Sequence, residues 1–395
     1  MADPTVSPTE PPPQRRLVQV PAVPRRPPER TKASILDSRK HNRALVLATL
    51  YHEGAKSRSD IARATGLTAP TVSTLVTDLE RDGLVADIGP RKDTTRLGKP
   101  ASLVQLQDDA VNLVVLDLSG DGRFSGAVFD LRGEAIARRE VQLGDAYGSA
   151  AVELALRLAE DLFALAPRQV LGIGVGSPGI IDETGLIRLA AHLGWTDLPL
   201  AALLSERLGV PALVGNDVNM AALGVLHFRD TRVHNLMVIS VEHGVGAGLV
   251  VGRELVEGEQ FAAGEIGHVT VDENGAECRC GRRGCLDLAI AAQHLSRRLA
   301  GAAQQERPAL RAEAGRVLGA VLAPIISMLN VNTIVLTGPV VLIEGEFLDA
   351  ARETARARTL GPVHASLDIR SLAGDTDLVL LGAASRLLAT ELGVL

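Results

Sequence analysis

Gly264-Glu265-Ile266-Gly267-His268, followed by Cys278-Arg279-Cys280-Gly281-Arg282-Arg283-Gly284-Cys285-Leu286-Asp287, is the stretch on which the reading of this chain turns. It holds all 3 cysteines of the sequence, crowded into eight positions, with His268 a short way ahead of them. One imidazole and three thiolates make a complete tetrahedral ligand set for a structural zinc. The spacing therefore predicts Zn2+ held by His268, Cys278, Cys280 and Cys285, with no thiol left for a disulfide. Three buried thiols near an exposed histidine are the simpler alternative. Gly281 and Gly284 fall where a backbone turning around an ion needs positive φ or close approach. Four protein donors leave no open coordination position, so such a metal braces and does not catalyse.

Residues suited to a polyol surround this motif. Glu265 can accept hydrogen bonds from hydroxyl groups, and the imidazole nitrogen of His268 that faces away from a metal keeps a donor N–H. Asp287, two places after the last cysteine, is either a further acceptor or a helix cap. Upstream, Gly215-Asn216-Asp217-Val218-Asn219 follows the apolar run 210–214, which places Asn216 and Asp217 at the C-terminal end of a strand. Open α/β sheets bind ligands at that end. An Asn–Asp pair can hold vicinal hydroxyls, and the carboxylate can serve as a general base; capping the helix that follows is the plainer role. Three glycine-rich turns (119–122, 244–248 and 337–338) are able to cradle phosphate, but hairpins use the same residues.

At 395 residues the chain calls for more than one domain. With 46% apolar residues and only 2% aromatic ones, its cores are built from Leu, Val, Ile and Ala. Apolar runs short of the roughly 20 residues that span a bilayer, an N-terminus without an apolar leader core and metal-type cysteines predict a cytoplasmic protein with no membrane partner. Net charge is −6, yet residues 1–100 are basic and the remainder strongly acidic. A basic front on an acidic body points to a polyanion met by the front alone.

Residues 1–30, rich in Pro and Arg, cannot bury enough surface to offset their ordering entropy and read as a disordered tail. Residues 31–106 read as a winged helix-turn-helix. Apolar residues recur at helical spacing over 42–51, Ser57 and Asp60 form a capping box for a short helix 58–64, and Gly66 makes the turn. Thr68 caps the next helix, with Pro70 in its first turn. The second helix of this plan enters the major groove of double-stranded DNA and offers its N-terminal residues to base edges; here these are Thr68, Ala69, Pro70, Thr71, Ser73 and Thr74. Two strands near 84–85 and 102–106 flank a loop whose Arg91, Lys92, Arg96 and Lys99 form a wing for phosphates or the minor groove. Without Arg, Asn or Gln on the reading face, direct bidentate readout is thin.

Residues 107–395 alternate strand and helix. Strands are predicted at 112–118, 124–131 and 134–141, a helix at 147–165 and a strand at 170–175; a second series opens at 235–241 and 246–251. This reads as one α/β plan used twice, with a cleft between two lobes and the seam near residue 230.

Together the segments Gly-Ser-Pro-Gly-Ile-Ile-Asp (176–182), Leu-Gly-Trp (193–195), Asn-Asp-Val-Asn (216–219), Gly-Glu-Ile-Gly-His (264–268) and Cys-x-Cys-Gly-x-x-Gly-Cys (278–285), preceded by a winged helix-turn-helix, resemble the ROK family of sugar-responsive repressors and sugar kinases. The resemblance implies an actin-like, hexokinase-type (ribonuclease H-like) α/β domain behind the DNA-binding unit, and a repressor that binds operator DNA as a homodimer or homotetramer in response to a sugar or sugar phosphate. Carried over, the sugar contacts are Asn216, Asp217, Glu265 and His268; Asp287 stands where the family usually has Glu. The family's kinases use the aspartate at the position of Asp217 as catalytic base. Two departures set this chain apart. The kinase turn Asp-x-Gly-Gly-Thr reads Asp117-Leu118-Ser119-Gly120-Asp121 here, and Gly-Thr-Gly reads Glu242-His243-Gly244. Acids beside a triphosphate repel it, so the expectation is a regulator without ATP binding and without catalysis; an active sugar kinase carrying a DNA-binding domain is the alternative.

Overall fold

Three short helices and three short strands come first in the computed structural model, which describes residues 35–90, 101–120 and 122–395. The tail 1–30, the wing residues Arg91, Lys92, Arg96 and Lys99, and Asp121 lie outside the described residues. The chain divides into compact units at residues 1–40 and 41–395; the described part of the first is the start of α1 (Ile35–Glu53). β1 (Lys56–Ser57) leads into α2 (Arg58–Thr65), and Ser57 Oγ accepts from the Asp60 backbone N–H at 3.1 Å, the expected cap. Gly66 takes φ 72°, and α3 (Ala69–Arg81) starts on Thr68, whose Oγ1 accepts from Thr71 N–H at 3.4 Å. Val72, Leu75, Val76 and Leu79 of α3 pack with Val46, Leu47 and Leu50 of α1 and Ile61 of α2. β2 (Val85–Pro90) and β3 (Ser102–Leu106) pair antiparallel, with β1 on the other side of β3.

The next elements build a five-stranded sheet. They are β4 (Asn112–Asp117), β5 (Arg123–Phe129), β6 (Ala135–Gln142), α4 (Ser149–Leu165) and β7 (Val170–Ser177). A side sheet follows, β8 (Ile180–Ile181), β9 (Ile187–Ala190) and β10 (Trp195–Leu198), then α5 (Leu200–Leu208), β11 (Ala212–Asn216) and α6 (Asp217–Gly224). The strand order is β11-β7-β4-β5-β6. The second lobe contains β12 (Leu236–Val241), β13 (Val245–Val251), β14 (Glu254–Leu255), α7 (Leu286–Ile290), α8 (Ala292–Gly301), α9 (Arg307–Leu329), β15 (Thr333–Thr337), α10 (Val340–Ile343), α11 (Glu346–Ala357), α12 (Gly361–His364) and β16 (Asp368–Ser371). Its order is β14-β13-β12-β15-β16. Each sheet is an antiparallel meander extended by two parallel strands from its first strand. One plan is thus used twice.

The chain passes between the lobes twice. It leaves the first near residue 230, but α13 (Leu378–Leu387) returns to it, and Leu380, Leu381, Ala383, Ala384 and Leu387 pack with Leu113, Val115 and Phe129 of β4 and β5. The seam in sequence is therefore only one of the two crossings. Gln304–Leu329 is long and apolar enough to cross a membrane by length and composition, a feature absent from the sequence reading. In this fold it packs Ala314, Leu318, Leu322 and Ile326 into the second-lobe core, while Arg311 and Arg316 mark its other faces.

Helices α6 and α13 touch backbone to backbone. A Cβ on Gly382 would stand 1.7 Å from the carbonyl oxygen of Met220, and one on Gly224 2.2 Å from that of Leu378. Gly382→Ala must push the helices apart and is expected to cost about 1–3 kcal/mol, seen as a lower urea midpoint at unchanged slope; an unchanged midpoint would contradict this packing.

Candidate ligand cleft and metal centre

His268 ends a 3-10 turn, Ile266–His268, and Cys285 caps α7, so both are fixed by regular structure. The segment between them folds back on itself: Cys278 N–H donates to Arg282 O at 2.7 Å, and Val271 N–H to Gly284 O at 2.8 Å. A Cβ on Gly284 would fall 1.5 Å from Asp272 O, so only glycine permits the fold. The donor atoms of His268, Cys278, Cys280 and Cys285 all lie within 4.8 Å of one another. Cys280 Sγ is 3.6 Å from Cys285 Sγ, and Cys278 Sγ is 3.8 Å from His268 Nδ1. An ion about 2.3 Å from each sulfur in a tetrahedron separates them by about 3.8 Å, whereas a disulfide needs about 2.05 Å. The arrangement could hold a metal ion, and the donors fit one. The backbone N–H of Arg282 brings the Cys280 thiol down to about 6, and burial pushes Cys285 up to about 12. A cation would stabilise the thiolates together.

The cluster sits beside a group of acids, of which Asp117, Asp217 and Asp287 are half-buried. Asn216 is the N-cap of α6: its Oδ1 accepts from Asn219 N–H at 3.0 Å and its Nδ2 donates to Gly179 O at 3.1 Å. The capping role is thus real, and a second lone pair on Oδ1 remains for a ligand. Asp217 follows in the first turn, half-buried. Desolvation, then the charges of Asp117 and Glu265, push its carboxyl up to about 7, against hydrogen bonds from its own and Val218's backbone N–H. Asp117 is raised by burial although Ser119 donates to it through N–H (2.9 Å) and O–H (2.6 Å). Desolvation likewise raises Glu265, although its side chain still reaches solvent, with His268 opposing and Asp287 adding to the shift. Asp287 is not a helix cap: its Oδ1 accepts from Val245 N–H at 2.7 Å, which pins the β12–β13 turn, and its Oδ2 lies 3.8 Å from His268 Nδ1.

Asp117, Ser119, Gly120, Asp217, Ser240, Glu242, Thr337 and Gly338 line one cavity of about 370 Å³. Both sequence-level phosphate turns therefore open into the space that Asp217 faces. Its cations are partly spent: Arg138 makes two bonds to Asp377 (2.7 and 2.8 Å), and Arg123 lies 3.6 Å from Glu140. Sequence reasoning missed a contact between the lobes. His192, from the Leu-Gly-Trp loop of the first lobe, stacks on His243 of the second, with ring centroids 5.7 Å apart and planes at 14°. Neither ring belonged to a recognisable motif; only the fold brings them together.

In the helix-turn-helix, Thr68, Ala69, Pro70, Ser73 and Thr74 are exposed and Thr71 is half-buried, so the N-terminal end of α3 is open. No acidic residue stands in its first turn, which leaves the positive end of the helix dipole uncancelled for a phosphate.

The sequence profile of the ROK family matches residues 115–385, and that of the MarR family residues 40–93. The xylose repressor of Caldicellulosiruptor bescii is 32% identical over 257 residues, which covers 62% of this chain and 62% of the repressor. The chain thus spans less than two thirds of that relative's length. A glucokinase of Halalkalibacterium halodurans is 41% identical over 131 residues, 32% of this chain and 40% of the enzyme. A ROK family transcriptional regulator, homologue of the E. coli MLC protein, has a TM-score of 0.79 over 90% of this chain and 98% of that one, at 21% identity, a likeness of fold alone.

Asp217 gives a pH dependence. Its folded value of about 7 lies above the ordinary 3.8, so folding favours the protonated form; the stability it contributes is full in acid and is lost as pH rises towards and through 7. Without ligand, the melting temperature of the wild type should fall between pH 5 and pH 8 by several degrees more than that of Asp217→Asn; roughly 4 °C is a reasonable scale for a domain of this size. Parallel pH profiles for the two proteins would show that Asp217 is not the titrating group.

Proposed function

The chain belongs to the ROK family, and from that premise we propose that it is a sugar-responsive transcriptional regulator, a repressor whose cleft senses a sugar or sugar phosphate and no longer turns over ATP. The observation that carries the reading is the presence in one chain of an open α3 N-terminus and a carboxylate-lined cleft beside a metal cage. The relatives named as xylose repressors support it. We place the DNA-binding domain at 31–106 behind a tail at 1–30, and the sugar-binding domain at 107–395. Asn216, Asp217, Glu265 and the outer nitrogen of His268 would hold the hydroxyls, with Asp287 holding the turn and the histidine behind them. Thr68 to Thr74 would face the major groove, and the wing residues Arg91, Lys92, Arg96 and Lys99 the backbone or minor groove. The protein acts in the cytoplasm as a homodimer or homotetramer on paired half-sites.

Loss of ATP follows from charge. Glu242 lines the cavity at the second phosphate turn, and Asp121 of the first turn stands in sequence where the family's kinases carry Thr. Anions at these places oppose a triphosphate. A second reading is favoured by one observation: a carboxyl held near 7 suits a general base, so an active sugar kinase remains the competing function. Coupled assays of ADP release with D-xylose, D-glucose and D-mannose should show none above background; steady release would replace the first reading with the second.

The metal we assign is zinc, in a structural role, from its three-sulfur, one-nitrogen donor set. It would fix His268 Nδ1 and turn the other imidazole nitrogen towards the hydroxyls. Purified protein should contain about one zinc per chain by plasma emission, and Cys285→Ser less than half of that, with faster proteolysis near 264–288. Full zinc content in that variant would remove Cys285 from the ligand set.

The single tryptophan, Trp195, is buried in the side sheet, donates from Nε1 to Gly148 O at 3.0 Å, and lies close in sequence to His192. Titration of D-xylose and related sugars should change its fluorescence and alter affinity for the chain's own upstream DNA by roughly 5- to 150-fold. No retardation of that DNA at low salt would remove the regulator reading.

A further inference from the structure

We propose that α13 and the residues after it form the mechanical link between the cleft and the DNA-reading helices, with Arg386 as its positioning residue at the cleft end and the His52–Val394 contact at the other. What the two ends do rests on the function proposed above; the link itself rests on geometry.

At the cleft end, Arg386 Nη1 donates to Glu257 Oε1 at 3.0 Å. The Glu257 carbonyl accepts from Ala263 N–H at 3.1 Å, which ties this glutamate into the loop that runs on to Glu265. The same Nη1 lies 3.3 Å from where a Cβ on Gly215 would stand, just before Asn216 and Asp217. One guanidinium therefore touches the second-lobe loop carrying one candidate sugar residue and the first-lobe strand end carrying two others. Both partners are largely sheltered, at 23% and 32% exposure, where solvent weakens an ion pair less than on an open surface. One residue earlier, Ser385 Oγ and His227 Nδ1 share a hydrogen bond of 2.5 Å, joining α13 to the π-helical turn Val225–Arg229 that continues α6.

At the other end α13 runs into a second π-helical turn, Leu388–Leu392, and stops on Gly393 at φ 64°. Ala44 Cβ of α1 sits 2.6 Å from where a Gly393 Cβ would be, so no side chain fits between the tail and α1. Val394 is 2% exposed, in one cluster with Val46, Leu47 and Leu50 of α1 and Leu387 and Leu388 of the tail. Its carbonyl accepts from His52 Nε2 at 2.7 Å. Arg132 grips the neighbouring residue: it donates to Tyr51 O at 2.7 Å, lies over the Tyr51 ring at 4.3 Å, and bonds Asp108 at 2.8 Å. The end of α1 is thus clasped by the sugar-binding fold, and α1 in turn carries α3 through their shared core.

Packed helices move between discrete positions instead of deforming continuously. A shift of the 257–265 loop as the lobes close on a ligand pulls on Arg386, and α13 delivers that shift to α1 through Val394. Hydrogen exchange on the full-length protein tests this without an operator or a known effector. Arg386→Met should speed exchange of the α1 amides at 45–53 by about 5-fold or more beyond any change in the β12 amides Leu236–Val241, which report global opening. In a chain ending at Leu392, and independently in His52→Ala, the same substitution should add less than about 2-fold, because sites joined by one element are not additive. An α1 exchange rate untouched by Arg386→Met, or changed equally with the tail contact broken, overturns the link. Failure of sugar or DNA binding would sink the proposed function while leaving this result standing.

Discussion

Two helices meeting without side chains between them fix most of this structure. Gly224 of α6 and Gly382 of α13 let the backbones approach until carbonyl oxygens occupy the space a Cβ would need. α6 follows the last strand of the first lobe and α13 the last strand of the second, so this contact is also the joint between the two sheets. A cleft between lobes can be stable and still able to change its opening only if such a joint is tight. The N-terminus of α6, which holds Asn216 and Asp217, is aimed by it.

The electrostatics of the cleft follow from what that joint buries. Asp117 at the end of β4 and Asp217 at the start of α6 are brought from different strand ends into one desolvated space, and the charge of Asp117 raises the affinity of Asp217 for a proton. Hydroxyl groups suit such a site, because they can donate to ionised carboxylates and accept from protonated ones. The cluster of His268, Cys278, Cys280 and Cys285 adjoins these acids through Asp287. Asp287 connects the two by holding Val245 N–H while lying beside His268, so the β12–β13 turn, the cage and the acids form one braced wall.

Much of this was legible in the sequence. The capping residues Ser57 and Thr68, the turn at Gly66 and the apolar stripe of α3 are local signals, and they were read at nearly the right residues because caps and periodicity act within a few positions. The His–Cys cluster that could hold a metal was legible because its three cysteines are close in the chain and chemically unusual. Asn216 illustrates the boundary: its place at a strand end was readable, yet only the structure shows it capping α6 and donating to Gly179 at once. The long apolar helix ending at Leu329 carries no uninterrupted apolar run that would mark it, because charged residues break it in sequence.

What the sequence determined by itself, then, is what short-range chemistry dictates: the order of elements, the helix-turn-helix, the duplicated plan and the His–Cys cluster at 268–285. What only the tertiary structure decided are pairings between distant residues, among them His192 with His243, Arg386 with Glu257, His52 with Val394, and the return of α13 to the first lobe. Such contacts carry no periodicity and no spacing rule. They exist because two lobes and a C-terminal helix fold to bury particular faces, and the side chains left at the seams meet whichever partners that burial places opposite them.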